Sequence, residues 1–284
     1  MPELPEVETA SRQLRSWLLG KRIVAARAAQ SRVIRGQPPS RFAQLKGHKL
    51  LGIDRVGKWM LLRFDGGEGL ISHLGMTGKW MRRKKGQPPP AHLRATLELA
   101  GGVAVDYRDP RLFGRLIRGK VEGLRRQASW AALGPDPLQG IDAAALQAAL
   151  LRTRRSLKEA LMDQRTLAGL GNIYVSESLF RAGLDPRRPG NTMAPADTAR
   201  LALAIRDSLR AALANEAGDE PITYVEEGGE NFFLVYDHAG EPCPECGTPI
   251  ERIVQGGRST YFCPHCQPAW RGRRRQPPAR PHGG

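Results

Sequence analysis

The sequence predicts an α+β protein with several domains, and three observations carry this prediction. Short apolar runs separated by Gly, Pro and Asp fill residues 21–118, runs with helical spacing fill 142–218, and four cysteines cluster near the end. Strand-like runs followed by helix-like runs favour segregated β and α regions over an alternating parallel fold. With 284 residues, the chain is long enough for more than one domain.

The N-terminal part predicts a leading helix followed by an antiparallel β-sandwich, together spanning residues 1–134. Four apolar residues recur at about helical spacing over residues 6–19: Val7, Leu14, Trp17 and Leu18. Runs such as KWMLLRF and VAVDYR, bounded by turn residues, predict strands. The segment KKGQPPPAH (84–92) predicts a surface loop.

A helical domain is predicted over residues 135–238, and its first residues belong to the turn-rich linker GPDPLQG (134–140). We expect Asp142 to cap one helical run that extends to residue 163. Two further helices are expected over 172–183 and 195–218, and FFLVY (232–236) predicts a strand.

The four cysteines predict a zinc finger over residues 239–270. They form C-x2-C-x16-C-x2-C, in which two CxxC turns supply the four thiolates of a tetrahedral Zn²⁺ site: Cys243, Cys246, Cys263 and Cys266. The segment between them contains Gly-Gly at 256–257 and predicts a β-hairpin. Because all four ligands come from the protein, one structural zinc is expected. The basic Arg/Pro tail over 271–284 is predicted to be disordered.

The charge balance indicates a polyanionic partner. The chain has 44 Lys and Arg against 28 Asp and Glu, a net charge of +16, and 35 of the bases are Arg. Guanidinium groups match phosphate oxygens in pairs. An Arg-rich genome would explain Arg over Lys, but less readily the surplus of sixteen. The sequence has no apolar run long enough for a membrane span and no secretory signal, so we expect a cytoplasmic, nucleoid-associated monomer.

The first residues could form a reactive group. Removal of Met1 would leave Pro2 as a secondary amine, and an α-amino group titrates near ~7.7–8.0. Such an amine can attack a carbon electrophile and form an iminium ion, while the adjacent Glu3 and Glu6 could move protons. From these residues alone, an ordinary N-terminus is the simpler interpretation. Likewise, Arg258 beside the Gly-Gly turn is most simply a solvated residue.

Six motifs change this interpretation when they are taken together. In order, they are PELPEVET (2–9), GKW (57–59), HLGMTG (73–78), DPRLFG (109–114), LAGLGNIYVSE (167–177) and the four-Cys module. The set resembles the formamidopyrimidine-DNA glycosylase (Fpg/MutM) family over residues 2–267. Leu4 favours this branch over the related endonuclease VIII branch. The resemblance implies an N-terminal β-sandwich with a leading helix, a helical domain with a helix-two-turn-helix, and a C-terminal zinc finger.

The resemblance also implies catalytic roles for four residues. Pro2 would attack C1′ of the damaged nucleotide, and Glu3 would protonate the sugar as its ring opens, with Glu6 in support. Lys58 would assist β-elimination and contact phosphate. Arg258 would bind the phosphates that flank the lesion and assist δ-elimination.

A second set of residues is expected to hold the DNA. A damaged base must be flipped out of the stack, and the family fills the resulting void with three residues, matched here by Met76, Arg111 and Phe113. Met76 is expected at a loop tip. Asn172 is expected to cap the helix after the LAGLG turn and to bind phosphate. Further DNA contacts are expected from His73, His92, Arg154 and Lys158.

Two departures from the family affect the expected substrate. The segment around 218–231, where the family carries its damaged-base loop, is acidic here, and Leu112 stands where Arg is common. The expected activity is excision of oxidised purines such as 8-oxoguanine and formamidopyrimidines from duplex DNA, followed by strand cleavage through β,δ-elimination. The alternatives are an endonuclease VIII-like enzyme for oxidised pyrimidines and a non-catalytic protein that binds damaged DNA.

Overall fold

A computed structural model describes residues 2–215 and 228–271. The N-terminal region contains one long helix, eight strands and three short helices. Its elements are α1 (Leu4–Leu18), β1 (Ile23–Ala28), α2 (Pro39–Ala43), β2 (Leu50–Val56), β3 (Trp59–Phe64), β4 (Glu68–His73), β5 (Lys79–Arg83), β6 (Leu93–Leu99), β7 (Ala104–Arg108), β8 (Arg115–Lys120), α3 (Val121–Arg125) and α4 (Ala128–Ala131).

The eight strands form two antiparallel sheets that pack as a sandwich. One sheet has the order β1–β6–β7–β5 and the other β2–β3–β4–β8. Leu62, Leu97 and Val105 are buried in the shared core, and α1 contributes Leu14 and Trp17 to it. The predicted β-sandwich with a leading helix is confirmed.

Four helices follow the sandwich: α5 (Ala143–Leu151), α6 (Leu157–Met162), α7 (Asn172–Arg181) and α8 (Pro195–Asn215). Asp142 caps α5 by accepting the N–H groups of Ala144 and Ala145. The predicted single run to residue 163 is wrong, because the chain breaks between α5 and α6. There Ser156 caps α6 by accepting the Glu159 N–H at 3.3 Å, and such local side-chain bonds compete with a continuous helix.

The helical region has its own core, which reaches into the sandwich region through one residue. Leu161, Leu179 and Ile205 are buried in this core, and Leu4 from the start of α1 packs with them. The backbone N–H of Leu4 also donates to the carbonyl of Gly169 in the turn between α6 and α7. The first turn of α1 is therefore fixed against the helical region.

The predicted strand over residues 232–236 is wrong. The chain is irregular there, because a side chain takes the place of a neighbouring strand. The carboxylate of Glu177 accepts the backbone N–H groups of Leu234 (2.9 Å), Val235 (3.0 Å) and Tyr236 (3.0 Å). These donors are satisfied without a sheet partner.

The C-terminal part is a hairpin of β9 (Glu251–Gln255) and β10 (Arg258–Phe262), as predicted. Gly256 and Gly257 form its turn with positive φ angles of 55° and 73°. Phe180 of α7 and Val235 pack against the cysteine-bearing hairpin. Most of the 218–231 loop and the 272–284 tail lie outside the described residues. Among those that are described, no helix is long and apolar enough to cross a membrane.

Candidate active site

The carboxylate of Glu3 lies at the amino end of α7, where it acts as a cap. It accepts hydrogen bonds from the backbone N–H groups of Ile173 (3.0 Å) and Tyr174 (3.2 Å). These are the second and third residues of the helix, whose N–H groups a capping side chain normally satisfies. Glu3 is 1% exposed, so the helix end supplies this buried carboxylate with donors and a positive partial charge. Pro2 is buried directly before it.

The prediction that Asn172 caps α7 is wrong. Gly171 occupies the capping position, and Asn172 is the first helical residue. The physical reason is that Glu3 reaches the end of the helix from a distant part of the chain. Asn172 is half-buried, and its Oδ1 has no hydrogen-bond partner among the described residues. A phosphate contact by Asn172 stays a prediction.

Glu6 is buried one turn after Glu3. Its carboxylate accepts the hydroxyl of Tyr174 and the backbone N–H of Glu3, both at 2.7 Å. Burial raises the pKa of Glu6; the Tyr174 bond opposes this shift and the charge on Glu3 adds to it. The raised pKa favours retention of a proton on Glu6, which suits this carboxyl to proton transfer.

Lys58 reaches the same place from the turn between β2 and β3. A Cβ atom on Gly171 would lie 2.5 Å from the Nζ of Lys58 and 2.5 Å from the Cδ of Glu3. Only a glycine therefore fits between the carboxylate and the ammonium group. Through these contacts, the fold brings together the predicted catalytic residues of α1 and of the GKW motif.

Lys158 lies beneath this cluster and is fully buried. Its Nζ donates to the hydroxyl of Ser176 (2.8 Å) and to the carbonyl of Asn172 (3.3 Å) in the first turns of α7. Burial lowers the pKa of Lys158 to about 7; the charge of Glu3 opposes this shift and that of Arg258 adds to it. Arg258 of the hairpin therefore lies close enough to Lys158 to affect its pKa.

The tip of the hairpin contacts the helical region beside Lys158. A Cβ atom on Gly256 would lie 3.3 Å from Oε1 of Glu159 in α6, and Gln255 donates to the carbonyl of Pro186 at 3.4 Å. Arg258 begins β10 and is exposed. Its guanidinium can therefore contact a ligand at the protein surface.

The two loops that carry the predicted void-filling residues are joined by a buried carboxylate. Asp109 accepts the hydroxyl of Thr77 (2.7 Å) from the turn that carries Met76. Its other oxygen accepts the N–H of Gly114 (2.8 Å), next to Phe113. Met76 lies in the turn between β4 and β5, as expected for a loop tip.

Arg111 and Phe113 project from the surface that these two joined loops form. The guanidinium carbon of Arg111 lies 5.2 Å from the centre of the Phe113 ring, which is 49% exposed. Between them, Leu112 adopts a positive φ of 60° and packs against the sandwich core. The residue that replaces the family's Arg is therefore turned inward, and its neighbours are turned outward.

Both predicted histidines flank these loops. His73 ends β4, and its Nδ1 accepts the Gly75 N–H at 3.1 Å. Burial lowers the pKa of His73 to about 3, with the charges of Lys58 and Arg115 acting in the same direction. The ring is thus neutral and carries its hydrogen on Nε2. His92 is exposed, with a positive φ of 59°.

Arg154 lies away from the other predicted residues, on the exposed turn between α5 and α6.

Four further residues shape the site but were not predicted from the sequence. Tyr174 and Glu177 lie inside LAGLGNIYVSE, so their place in that motif could have identified them as candidates. Arg55 and Asp136 form a buried ion pair, and no local sequence signal marks partners that are 81 residues apart.

The four cysteines meet in one cluster. Their Sγ atoms all lie within 4.8 Å of one another, with Cys243 to Cys266 at 3.9 Å and Cys246 to Cys263 at 3.5 Å. A tetrahedral zinc site with bonds of ~2.3 Å needs sulfur separations of ~3.8 Å, whereas a disulfide needs ~2.05 Å. The cluster fits a metal ion.

Comparisons with known proteins match all three regions. Residues 1–116 match the formamidopyrimidine-DNA glycosylase N-terminal domain, 133–222 the formamidopyrimidine-DNA glycosylase H2TH domain, and 240–269 the zinc finger found in FPG and IleRS. The formamidopyrimidine-DNA glycosylases of Azorhizobium caulinodans and Methylococcus capsulatus are 42% and 40% identical, covering 94% of this chain and 100% of each relative.

Solved structures agree with this assignment. Lactococcus lactis Fpg (MutM) in complex with DNA that contains N7-benzyl-Fapy-dG has a TM-score of 0.85 and 30% identity. The same protein with abasic-site DNA has a TM-score of 0.84 and 30% identity. Both comparisons cover 94% of this chain and 100% of the other. The chain therefore belongs to the formamidopyrimidine-DNA glycosylase family of base-excision repair enzymes, which are DNA glycosylases with AP lyase activity.

Proposed function

We propose that this enzyme excises oxidised purines from duplex DNA and then cleaves the strand through a Schiff base on Pro2. The observation that carries the proposal is the meeting of Glu3 and Lys58 around Gly171, with Pro2 directly before Glu3. A nucleophile, a proton carrier and a cation are needed at one sugar, and these three neighbouring residues would supply them.

The first chemical step is a substitution at C1′ of the damaged nucleotide. The Pro2 nitrogen, freed by removal of Met1, forms a bond to C1′ as the bond to the damaged base breaks, and the base leaves with the proton that this nitrogen gives up. Glu3 then gives a proton to the sugar O4′ as the ring opens, which leaves an iminium ion between Pro2 and C1′. Burial of Glu6 against Glu3 and Tyr174 provides a second proton-transfer group behind the first.

Strand cleavage follows from the electron-withdrawing iminium ion. Loss of a proton from C2′ expels the 3′ phosphate in β-elimination, and a second elimination expels the 5′ phosphate. Lys58 assists the first elimination. Arg258 stabilises the leaving phosphates, because an exposed guanidinium can bind phosphate oxygens in pairs.

The two loops that Asp109 connects hold the DNA open. Met76 and Phe113 enter the stack as apolar wedges, and Arg111 occupies the place of the flipped base. His73, His92, Arg154 and Asn172 complete the proposed DNA contacts, whereas the fully buried Lys158 would act indirectly by holding the first turns of α7. The neutral His73 ring keeps an Nε2–H donor for a phosphate oxygen.

We assign one structural Zn²⁺ to the four cysteines, because their donor set and sulfur separations suit this ion. All four positions are protein thiolates, so the metal would fold the hairpin that carries Arg258. We further propose domains over 1–134, 135–238 and 239–270, a monomeric state on DNA, and a cytoplasmic location at the nucleoid.

The substrate is tested with duplexes that carry 8-oxoguanine, a formamidopyrimidine, thymine glycol or an abasic site. We expect faster release of the two purine lesions, and a covalent adduct when borohydride reduces the iminium ion on the abasic duplex. The Pro2→Gly variant is expected to give less adduct. Faster release of thymine glycol would favour the endonuclease VIII-like alternative, and binding without any adduct would favour a non-catalytic protein.

A further inference from the structure

Arg55 lies where three parts of the chain meet. It is near the end of β2, three residues before Lys58, and its side chain is 5% exposed. Its Nε donates to Glu8 of α1 at 2.6 Å. Its two terminal nitrogens donate to the two carboxylate oxygens of Asp136, at 2.5 and 3.0 Å. One guanidinium thus joins α1, the β2–β3 turn and the linker to the helical region.

Asp136 also holds the backbone next to Lys58. Its Oδ2 accepts the N–H of Gly57 at 2.8 Å, and Arg55 itself donates to the Gly57 carbonyl at 3.1 Å. Both polar groups of the residue before Lys58 are therefore bound by this ion pair. Because the peptide unit is rigid, fixing Gly57 restricts where the Lys58 side chain can start.

The other side of the turn is closed by direct backbone packing. Gly57 has a φ of 56°, and a Cβ atom on it would lie 2.8 Å from the backbone nitrogen of Gly169. Gly169 in turn accepts the N–H of Leu4 through its carbonyl, at 3.1 Å. The turn that carries Lys58 and the first turn of α1 thus share one surface of the α6–α7 connection.

We propose that Arg55 is a positioning residue that fixes Lys58 relative to Pro2. It does so by joining the Lys58 turn to α1 through Glu8 and to the helical region through Asp136. Because its side chain is only 5% exposed, Arg55 acts through the backbone of Gly57 and not by direct contact with a ligand. The inference rests on the proposed role of Lys58 in β-elimination.

The geometry makes the guanidinium fork essential to this role. The Nε donates to Glu8, one terminal nitrogen donates to both Asp136 and the Gly57 carbonyl, and the other terminal nitrogen donates to Asp136. A Lys ammonium keeps the charge but cannot reproduce a planar fork with two parallel bonds. Arg55→Lys is therefore the informative variant, since it keeps the charge and alters the geometry.

The experiment measures single-turnover cleavage of an abasic duplex, binding to a duplex with an uncleavable tetrahydrofuran site, and urea denaturation. The matched control is Arg83→Lys, because Arg83 pairs with the fully buried Asp106 inside one sheet. We expect Arg55→Lys to slow β-elimination about tenfold while affinity for the tetrahydrofuran duplex changes less than threefold. Arg83→Lys should lose similar stability without slower cleavage.

A conservative and a disruptive variant of Asp136, the partner of Arg55, give a second measurement. Asp136→Glu keeps a carboxylate that can bind the guanidinium fork, so it should cleave faster than Asp136→Asn. Lys58→Ala is measured beside them. If Lys58→Ala cleaves normally, the proposed role of Lys58 fails and this inference fails with it. If Lys58→Ala is slow but Arg55→Lys is no slower than Arg83→Lys, only the inference about Arg55 is overturned.

Discussion

The hydroxyl of Thr77 donates a 2.7 Å hydrogen bond to the carboxylate of Asp109 across 32 residues of chain. This bond connects the turn of Met76 to the loop of Phe113. Asp109 is fully buried and also holds the N–H of Gly114. The two loops that are proposed to enter the DNA stack therefore form one rigid surface.

Replacing Thr77 by Val should weaken this surface without changing the shape of the side chain. A buried hydrogen bond to a charged group contributes about 1.5–3 kcal/mol, so we expect excision of a paired 8-oxoguanine to slow by roughly tenfold. Cleavage of a preformed abasic site should change much less. Thr77→Ser keeps the hydroxyl and is the matched control. Normal excision by Thr77→Val would show that the loops do not need this bond.

Arg111→Ala removes the proposed occupant of the void beside Phe113. Without its guanidinium, the orphaned base on the opposite strand has no partner, so excision of a paired lesion should fall by roughly tenfold or more. Strand cleavage at an abasic site, where no base has to be flipped, should fall less. Both rates are measured in single turnover on the same duplex sequence. Equal losses would count against a void-filling role.

Glu177→Gln should disturb the segment that follows the proposed damaged-base loop. The carboxylate accepts three backbone N–H groups, and an amide nitrogen placed there would face donors. Each unsatisfied buried group costs about 1–3 kcal/mol. We expect a lower urea midpoint and slower lesion excision, whereas Glu241→Gln, at an exposed glutamate, should change neither. If Glu177→Gln kept the urea midpoint and the excision rate of the wild type, a structural role for this carboxylate would be contradicted.

Lys158 should make stability depend on pH. Burial lowers its pKa to about 7 in the folded protein, against about 10.4 in an unfolded chain. Between these values only the unfolded chain binds the proton, so this group favours the fold increasingly as pH rises from about 7 to about 10. Relative to wild type, Lys158→Met should therefore be most stable near pH 6 and progressively less so toward pH 9. Urea denaturation at several pH values measures this, and parallel profiles for the two proteins would refute it.

Removal of metal should affect DNA binding and cleavage together. Binding energy at a four-thiolate site is folding energy, and Arg258 depends on the hairpin that this site closes. We expect chelation, or Cys263→Ser, to lower affinity for an abasic duplex, and added zinc to restore only the chelated wild type. Metal content is measured by mass spectrometry on the same samples. Unchanged activity in a zinc-free sample would disprove the dependence.

Local patterns predicted the elements of the fold well, and they failed where a distant side chain replaced a local partner. FFLVY has the composition of a strand, but Glu177 satisfies its N–H groups. Asn172 is a good capping residue, but Gly171 occupies the capping position and Glu3, 170 residues from Ile173, supplies the side-chain acceptor. The break before Ser156 is an exception, because a local cap was present in the sequence and outweighed the helical spacing.

The site was predicted from ordered motifs, since no single residue type identified it. Pro2 and Arg258 look ordinary by themselves, and only the motifs around them predicted a role for them. No sequence motif predicted the ion pair of Arg55 and Asp136. Its function depends on three segments meeting in space, which only tertiary structure shows.

The contact between Glu3 and the start of α7 has a consequence for biosynthesis. A ribosome that adds about 5–20 residues per second exposes the first turn of α1 roughly 10–30 s before it completes the helix that Glu3 caps. The sandwich can form during this interval, but the contact between Glu3 and α7 cannot. A nascent or truncated chain that ends before residue 173 would lack the N–H groups of Ile173 and Tyr174 that bind the Glu3 carboxylate.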